Sequence, residues 1–222
     1  MRLSMHGQLR LRGTWRAFKA DQLIAPGHGY VWAATTTVGG LRCSGFDSHV
    51  DGVGQMQWKL LGLLPVVSAG GPDVSRSAAG RLAAECLVAP TGFGAARWTA
   101  TSDPDVVRGR FESAHGPDDI DVRVDAGGLV EGASMLRWGA DDGPPRLREF
   151  GAEASAHATF AGLTIPTSLR VGWDWGTENW PTGEFFRAEI TAAQLVPYRS
   201  RDAALGLRAT RRRWDRVGAG DR

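Results

Sequence analysis

Apolar and polar residues alternate over the first twelve positions. Leu3, Met5, Leu9 and Leu11, with Gly7 between them, fall on one side of an extended chain, and Arg2, Ser4, His6, Gln8, Arg10 and Arg12 on the other. A period of two is that of a strand with one buried and one wet face. The theme continues over 15–24 and 30–38, after turns at Gly13 and Pro26-Gly27-His28-Gly29, then over 41–50 and, past the hairpin signal Asp51-Gly52, over 55–60. Strands resume at 96–101, 106–113, 120–124 and 129–138, and again, after a polar loop at 141–145, at 150–160, 167–175 and 184–195, with Ala161-Gly162 as a turn.

One segment breaks this pattern. After the breaker Gly70-Gly71-Pro72, Asp73 is a predicted N-cap, and Ala78, Ala79, Leu82, Ala83, Cys86 and Leu87 recur on one helical face until Pro90. A long run of strands in sequential order must close, fold over or be capped to protect its edges. The spacing therefore predicts a mainly β fold: a strongly curved antiparallel meander sheet or open barrel of about 10–12 strands, with one amphipathic helix packed on the concave face.

Composition adds limits. A chain of 222 residues buries roughly 70% of its unfolded surface and needs no disulfide or metal to hold a core. Cys43 and Cys86 match no metal or redox spacing and read as small buried hydrophobes. The formal charge of +2 hides an asymmetry. Residues 199–222 carry eight Arg against three Asp, leaving 18 basic and 21 acidic residues in 1–198. The expected organisation is a mildly acidic domain over 1–198 and a basic tail over 199–222, which removes the case for nucleic-acid binding by the domain. Leu207, Thr210, Arg211, Trp214 and Val217 fall at helical spacing, so the tail is either a short amphipathic helix able to touch an anionic membrane or a disordered terminus. The most apolar run, Leu60 to Val67, is broken by Gly62 and Pro65 and is far shorter than the ~20 residues that span a bilayer. With no secretory signal at the start, the expected location is cytoplasmic, with membrane association open through the tail.

Several segments together resemble an uncharacterised bacterial family, a domain of unknown function. They are Phe18-Lys19-Ala20-Asp21-Gln22, Tyr30-Val31-Trp32, and Asp47 followed by Asp51-Gly52-Val53-Gly54-Gln55-Met56; then Lys59 to Val66, and Arg81-Leu82-Ala83-Ala84-Glu85 with Pro90-Thr91; and finally Gly162 to Thr167 with Trp173. The likeness spans about residues 1–196. It implies an architecture similar to the lipoprotein carriers (LolA/LolB-like), a β half-barrel with a helical lid over an apolar cavity, and by analogy of fold an apolar ligand. Members of that family often carry an N-terminal membrane segment not seen here, and the tail has no family counterpart.

Chemistry-bearing groups are sparse. Asp47-x-His49-x-Asp51 sets three potential ligands on one strand face, read either as a metal grip or as a solvated face ending in a turn, with Phe46, Ser48 and Val50 inward. Arg81 and Glu85 stand at i, i+4, as an ion pair or as polar groups at a cavity mouth. Val171, Trp173 and Trp175 are expected on one strand face, with Trp180 in the following loop and Phe185 and Phe186 opening the next strand, as core or as the wall and rim of an apolar pocket. No nucleophile triad, P-loop or metal motif is recognisable, so no catalytic residue, metal or cofactor is assigned. The leading expectation is a non-enzymatic binding module for a lipid or other apolar small molecule, with Trp58, Leu63, Arg81, Glu85, Trp173, Trp175 and Trp180 as ligand contacts. The alternatives are an enzyme on a small hydrophobic substrate and a membrane-surface scaffold. Oligomeric state is not legible.

Overall fold

The computed structural model describes residues 1–139, 143–196 and 200–217. One antiparallel sheet of 13 strands dominates it. The first half comprises β1 (Arg2–Leu11), β2 (Thr14–Ala25), β3 (Gly29–Val38), β4 (Leu41–Val50), β5 (Val53–Leu60) and β6 (Leu64–Ala69). The second comprises β7 (Ala96–Ala100), β8 (Val106–Phe111), β9 (Asp118–Val124), β10 (Val130–Gly139), β11 (Arg146–Phe160), β12 (Leu163–Trp173) and β13 (Glu184–Gln194). β1 and β13 pair in the middle of the sheet, with Met5 opposite Ile190, so the chain runs outward to β6 at one edge and returns inward from β7 at the other. The crossing between edges is made by α1 (Pro72–Ala84), which lies in the concavity of this curled half-barrel.

The turns Arg12-Gly13, Gly39-Gly40, Asp51-Gly52, Leu61-Gly62 and Ala161-Gly162 have positive φ at both residues, the pattern of tight turns whose twist matches that of the strands. Bulges at Ser4/Met5, Trp58/Lys59, Val130/Gly132 and Val171/Gly172 add twist and curl. The concave core contains Leu3, Met5, Phe18, Tyr30, Trp32, Ile120, Met135, Phe150 and Ile190, the alternate positions of their strands.

The strand beyond the expected number is β6. The run Leu60 to Val67, read as a buried strand end or a ligand-facing lip, is the turn and the outer strand of a hairpin, and Leu63, Leu64 and Val66 are exposed at this edge, where among the described residues no further strand follows β6. α1 begins at Pro72 with Gly71 in the capping position. Asp73, expected as the cap, sits in the first turn, and its carboxylate accepts from Trp138 Nε1 at 2.9 Å. The helix tightens into 3-10 turns at Glu85–Leu87 and Pro90–Ala95. Cys43 and Cys86 are buried free thiols.

After the four-residue α2 (Trp180–Gly183), the last described element is α3 (Ser200–Val217), which lies on the convex face. Leu207 is sealed there among Leu23, Ala25, Val31, Ala33, Phe46 and Val50, with Trp214 packed alongside. Arg208 donates to Asp51 at 2.6 Å, and Lys59 Nζ donates to the Asp215 carbonyl at 3.1 Å. This reverses the reading of β4: Phe46, Ser48 and Val50 are inward, but toward α3, while Asp47 and His49 occupy the concave face rather than solvent. A strand covered on both sides has no wet face. The apolar side of the tail helix represented by Leu207 and Trp214 is likewise spent on the sheet and is not available to a membrane. Among the described residues no helix is long and apolar enough to cross a membrane.

Two features of the sheet generate tests. A Cβ at Gly54 would come within 2.6 Å of the Val74 carbonyl oxygen and 2.8 Å of Ser75 Cα, so β5 and the start of α1 touch backbone to backbone. Gly54→Val is expected to wedge α1 off the sheet and destabilise the fold by about 1–3 kcal/mol in urea unfolding. Near the convex end of β13, Glu184 is buried and accepts from Arg187 (2.7 and 3.0 Å) and Arg170 (3.0 and 2.9 Å). Those hydrogen bonds, with Arg187 first, lower its carboxyl from 4.5 to about 2. A depressed folded-state value stabilises above the unfolded value and is lost as pH falls through the folded one. Stability is therefore expected to fall between pH 4.5 and pH 2, and Glu184→Gln to be less stable at neutral pH and to flatten that dependence, as read by thermal melts across pH.

Candidate functional site

α1 presents small residues to the sheet. Ser75, Ala78, Ala79, Gly80 and Ala83 are its buried positions, so its backbone rides close over the strands and its longer side chains reach sideways to both halves of the half-barrel. Toward the first half, Ser75 Oγ accepts from the Gly54 N–H at 3.0 Å and donates to the Gly71 carbonyl at 2.8 Å. Toward the second, Arg76 places one nitrogen on both carboxylate oxygens of Asp118 at 2.7 and 2.8 Å and another on the Pro117 carbonyl. Arg137 of β10 donates to the Ser77 carbonyl at 3.1 Å and its hydroxyl at 3.3 Å. The helix is thus clamped to strands of opposite halves by polar contacts rather than floated on grease.

Further along α1, a second polar group is buried against aromatic rings. Arg81 donates to Glu85 at 3.0 Å and to Asp47 at 3.5 Å. Asp47 also accepts from Trp58 Nε1 at 3.1 Å, and Glu85 from Gln22 at 2.7 Å. The guanidinium carbon lies 4.5 Å from the Tyr30 ring centre and 5.6 Å from that of Trp32, within cation–π range. Burial raises the Asp47 carboxyl, with Arg81 and Trp58 opposing, and burial also pushes Tyr30 up to about 12. For Arg81 burial acts to lower its value, but Tyr30, Glu85 and Asp47 outweigh it and keep the guanidinium charged. One cation facing two carboxylates leaves little unspent charge for an anionic ligand.

Beyond α1 the concave face becomes aromatic and less covered. Phe18 stacks on Phe186 (5.2 Å between centres) and meets Trp32 edge-on (5.5 Å), and Trp32 contacts Trp58 (5.9 Å). In the second half Phe150 packs against Trp173 (5.1 Å), with Arg137 over Phe150 and Arg148 over Trp173. Trp58, Leu169, Val171, Trp173, Phe185 and Phe186 pack on this core but are only partly buried. Two hollows lie away from this face. One, of about 10 Å³, is bounded by Phe46, Lys59 and Trp214 under α3. The other, of about 450 Å³, is an open depression across β1, β12 and β13 that includes Arg170, Arg187 and Glu189.

Trp58, Arg81 and Glu85 therefore come together around Asp47, and Trp173 lies on the same concave face in the other half. The remaining expected contacts lie apart. Trp175 does not share a face with Trp173: β12 stops at Trp173, Asp174 takes φ 59°, and the Trp175 ring lands over Gly151 on the opposite side, edge-on to Trp180 at 4.7 Å. Leu63 stands at the exposed β5–β6 turn. The Asp47-x-His49-x-Asp51 set also disperses. Asp47 belongs to Arg81, Asp51 to Arg208, and His49 is buried facing His115 at 6.1 Å, neither ring nitrogen having a hydrogen-bond partner. Among the described residues no group of three or more His, Cys, Asp or Glu is placed to hold a metal. Asp118, Arg76 and Arg137 carry no sequence signal, because Arg76 and Asp118 are 42 residues apart and Arg137 and Ser77 are 60 apart, and Gln22, quoted only within a family-like segment, is 63 residues from Glu85.

A single curled antiparallel sheet clamped across its hollow by one helix defines the structural class. The chain belongs to DUF6544, a family of unknown function, whose pattern matches residues 1–185. No curated protein matches the sequence. Among solved structures it is similar to a LolA superfamily protein from Nitrosomonas europaea, at 10% identity and TM-score 0.46 over 90% of this chain and 87% of that one. It is also similar to a putative outer membrane lipoprotein-sorting protein domain from Vibrio parahaemolyticus, at 11% identity and TM-score 0.48 over 92% and 89%.

The clamp is directly testable. Burial raises the Asp118 carboxyl, with the hydrogen bonds and charge of Arg76 opposing that rise. Removing one member of a buried pair leaves the other uncompensated. Asp118→Ala is expected to cost about 3–5 kcal/mol in chemical unfolding and to speed amide hydrogen exchange in α1 more than in β1 and β2.

Proposed function

We propose that the protein is a non-enzymatic binding module that holds an apolar ligand, a lipid or acyl chain, along the concave face beside α1. The observation that carries this reading is the band of partly buried apolar side chains, Trp58, Leu169, Val171, Trp173, Phe185 and Phe186, which α1 leaves incompletely covered. Trp and Phe left half-wet on a concave surface are unsatisfied in the sense that matters to water, since each removes a large apolar area when a partner arrives. The ligand lies in an open trough rather than in a closed cavity, because α1 rides against the sheet at Gly54 and Gly80. Arg81, Glu85, Asp47 and Gln22 at the covered end form a mutually hydrogen-bonded polar stop that orients α1 and meets a ligand headgroup as a hydrogen-bonding wall.

The test is displacement of a fluorescent fatty acid from protein purified without detergent, with native mass spectrometry to weigh any ligand carried through purification. The wild type is expected to bind the probe, and Phe186→Asp or Val171→Asp to weaken binding by about tenfold or more, since a carboxylate in the trough must be desolvated by the ligand. Absence of both uptake and a co-purified mass in the wild type overturns the proposal.

A further inference from the structure

The turns β1–β2, β3–β4 and β5–β6 lie along one border of the sheet, since alternate turns of a meander share an end. Phe18 pairs with Thr36 and Cys43 with Leu60, which brings the three tips to within a few residues of the same level, and the Leu61 N–H donates to the Arg42 carbonyl at 2.7 Å, joining the second tip to the third. Each tip ends in exposed apolar side chains: Leu11 on the first, Val38 and Leu41 on the second, and Leu61, Leu63 and Leu64 on the third. Leu61, Leu63 and Leu64 are 54%, 73% and 61% exposed. Leu61 also holds φ 52°, a left-handed conformation that Gly, Asn or Asp adopts at far lower cost than leucine. A tight turn satisfies its geometry best with a polar residue there, so neither folding nor solubility accounts for this leucine.

The tip segments themselves carry charge of one sign. The segments 8–18, 34–46 and 56–69 contain Arg10, Arg12, Arg16, Arg42 and Lys59 and no Asp or Glu. The end of α3 adds to it: Trp214 packs near Ser44 and Lys59, which brings the stretch Arg211-Arg212-Arg213, with Asp215, toward the same border. At the first tip Arg10 donates to the Thr182 carbonyl at 3.0 Å, which brings the β12–β13 connection, whose sequence includes Asp174 and Glu178, alongside. Exposed leucines ringed by cations match a surface that is apolar below and anionic above.

We propose that this three-tipped rim docks on an anionic phospholipid bilayer, with Leu61, Leu63 and Leu64 entering the interface and Arg12 and Arg42 meeting the headgroups. The hairpins satisfy their own backbone hydrogen bonds up to the turn, while the outer side of β6 stays among hydrated headgroups, so the insertion is shallow. The occupant is the bilayer and not the ligand of the concave trough, and the two readings are independent.

The experiment is co-sedimentation of the full chain with vesicles of phosphatidylcholine mixed with phosphatidylglycerol, beside vesicles of phosphatidylcholine alone, at low and high salt. The wild type is expected to pellet with the mixed vesicles, weakly with the neutral ones, and less as salt rises. Leu61→Asp/Leu63→Asp/Leu64→Asp is expected to lower partitioning by about tenfold or more, and Arg42→Gln by about fivefold. Should the triple variant fail to fold, Leu63→Asn, at the most exposed of the three sites, replaces it and is expected to weaken partitioning with an unchanged melting temperature. A wild type that stays in solution with both vesicles overturns the proposal, as does undiminished pelleting of the leucine variant. It is also overturned if sedimentation velocity without vesicles shows a dimer that Leu63→Asp dissociates while vesicle binding is unchanged, because the rim then serves a second copy of the chain. Loss of fatty-acid uptake with vesicle binding intact leaves it standing.

Discussion

The interaction on which the rest of the structure depends is the clamp of α1 across the hollow. A sheet of 13 strands whose terminal strands pair in its centre has both edges free, and here the strands at those edges are joined in sequence through this helix and the 3-10 turns that follow it. Arg76 on Asp118 and Ser77 under Arg137 tie it to β9 and β10, while Ser75 on Gly54 and Arg81 on Asp47 tie it to β5 and β4. Together these contacts span the opening, so the helix sets the distance between the halves. Small residues along its buried face make this possible, because polar bonds this short demand that its backbone come down onto the strands.

That clamp also decides where apolar surface remains. A helix held by ion pairs at fixed points cannot spread over the whole concavity, and the aromatic side chains beyond it stay partly wet. An apolar lid of Leu and Phe would have gained by collapsing onto them; α1, with Ala, Gly and Ser inward, gains nothing from such a shift. The polar cost of burying Asp47, Arg81 and Glu85 is offset within the group itself, by Trp58, Gln22 and the faces of Tyr30 and Trp32. The trough and the clamp are thus two consequences of one packing choice.

The convex side is arranged on the opposite principle. There α3 closes one part of the sheet with Leu207 and Trp214, and charged ladders such as Glu153–Arg170–Glu184–Arg187 cover another. Leu11, Val38, Leu41, Leu61, Leu63 and Leu64 gather exposed at three hairpin tips, while Val53, Leu136, Leu147 and Leu195 stand exposed elsewhere. An excess of arginine that looked diffuse in the composition is therefore ordered in space. Much of it pairs with carboxylates on the sheet faces, and a part without nearby acidic sequence surrounds the exposed leucines.

Legibility followed range. Strands β1 to β5, the hairpins at Asp51-Gly52 and Ala161-Gly162, and α1 as the single helix of the central segment could be read from the sequence, because alternation, helical spacing and positive-φ turns are written within a few residues of each other. The ion pair of Arg81 with Glu85 was legible for the same reason, one helical turn apart. Local spacing alone was enough to specify a curled antiparallel sheet with a helix in its hollow, and an aromatic supply for it. The tertiary structure alone decided that β4 is covered on both faces, that Trp175 leaves the face of Trp173, that β6 stands exposed, and that Arg76 finds Asp118. Each of these depends on which element lies across from a residue, and a period of two names the faces of a strand without saying what covers them.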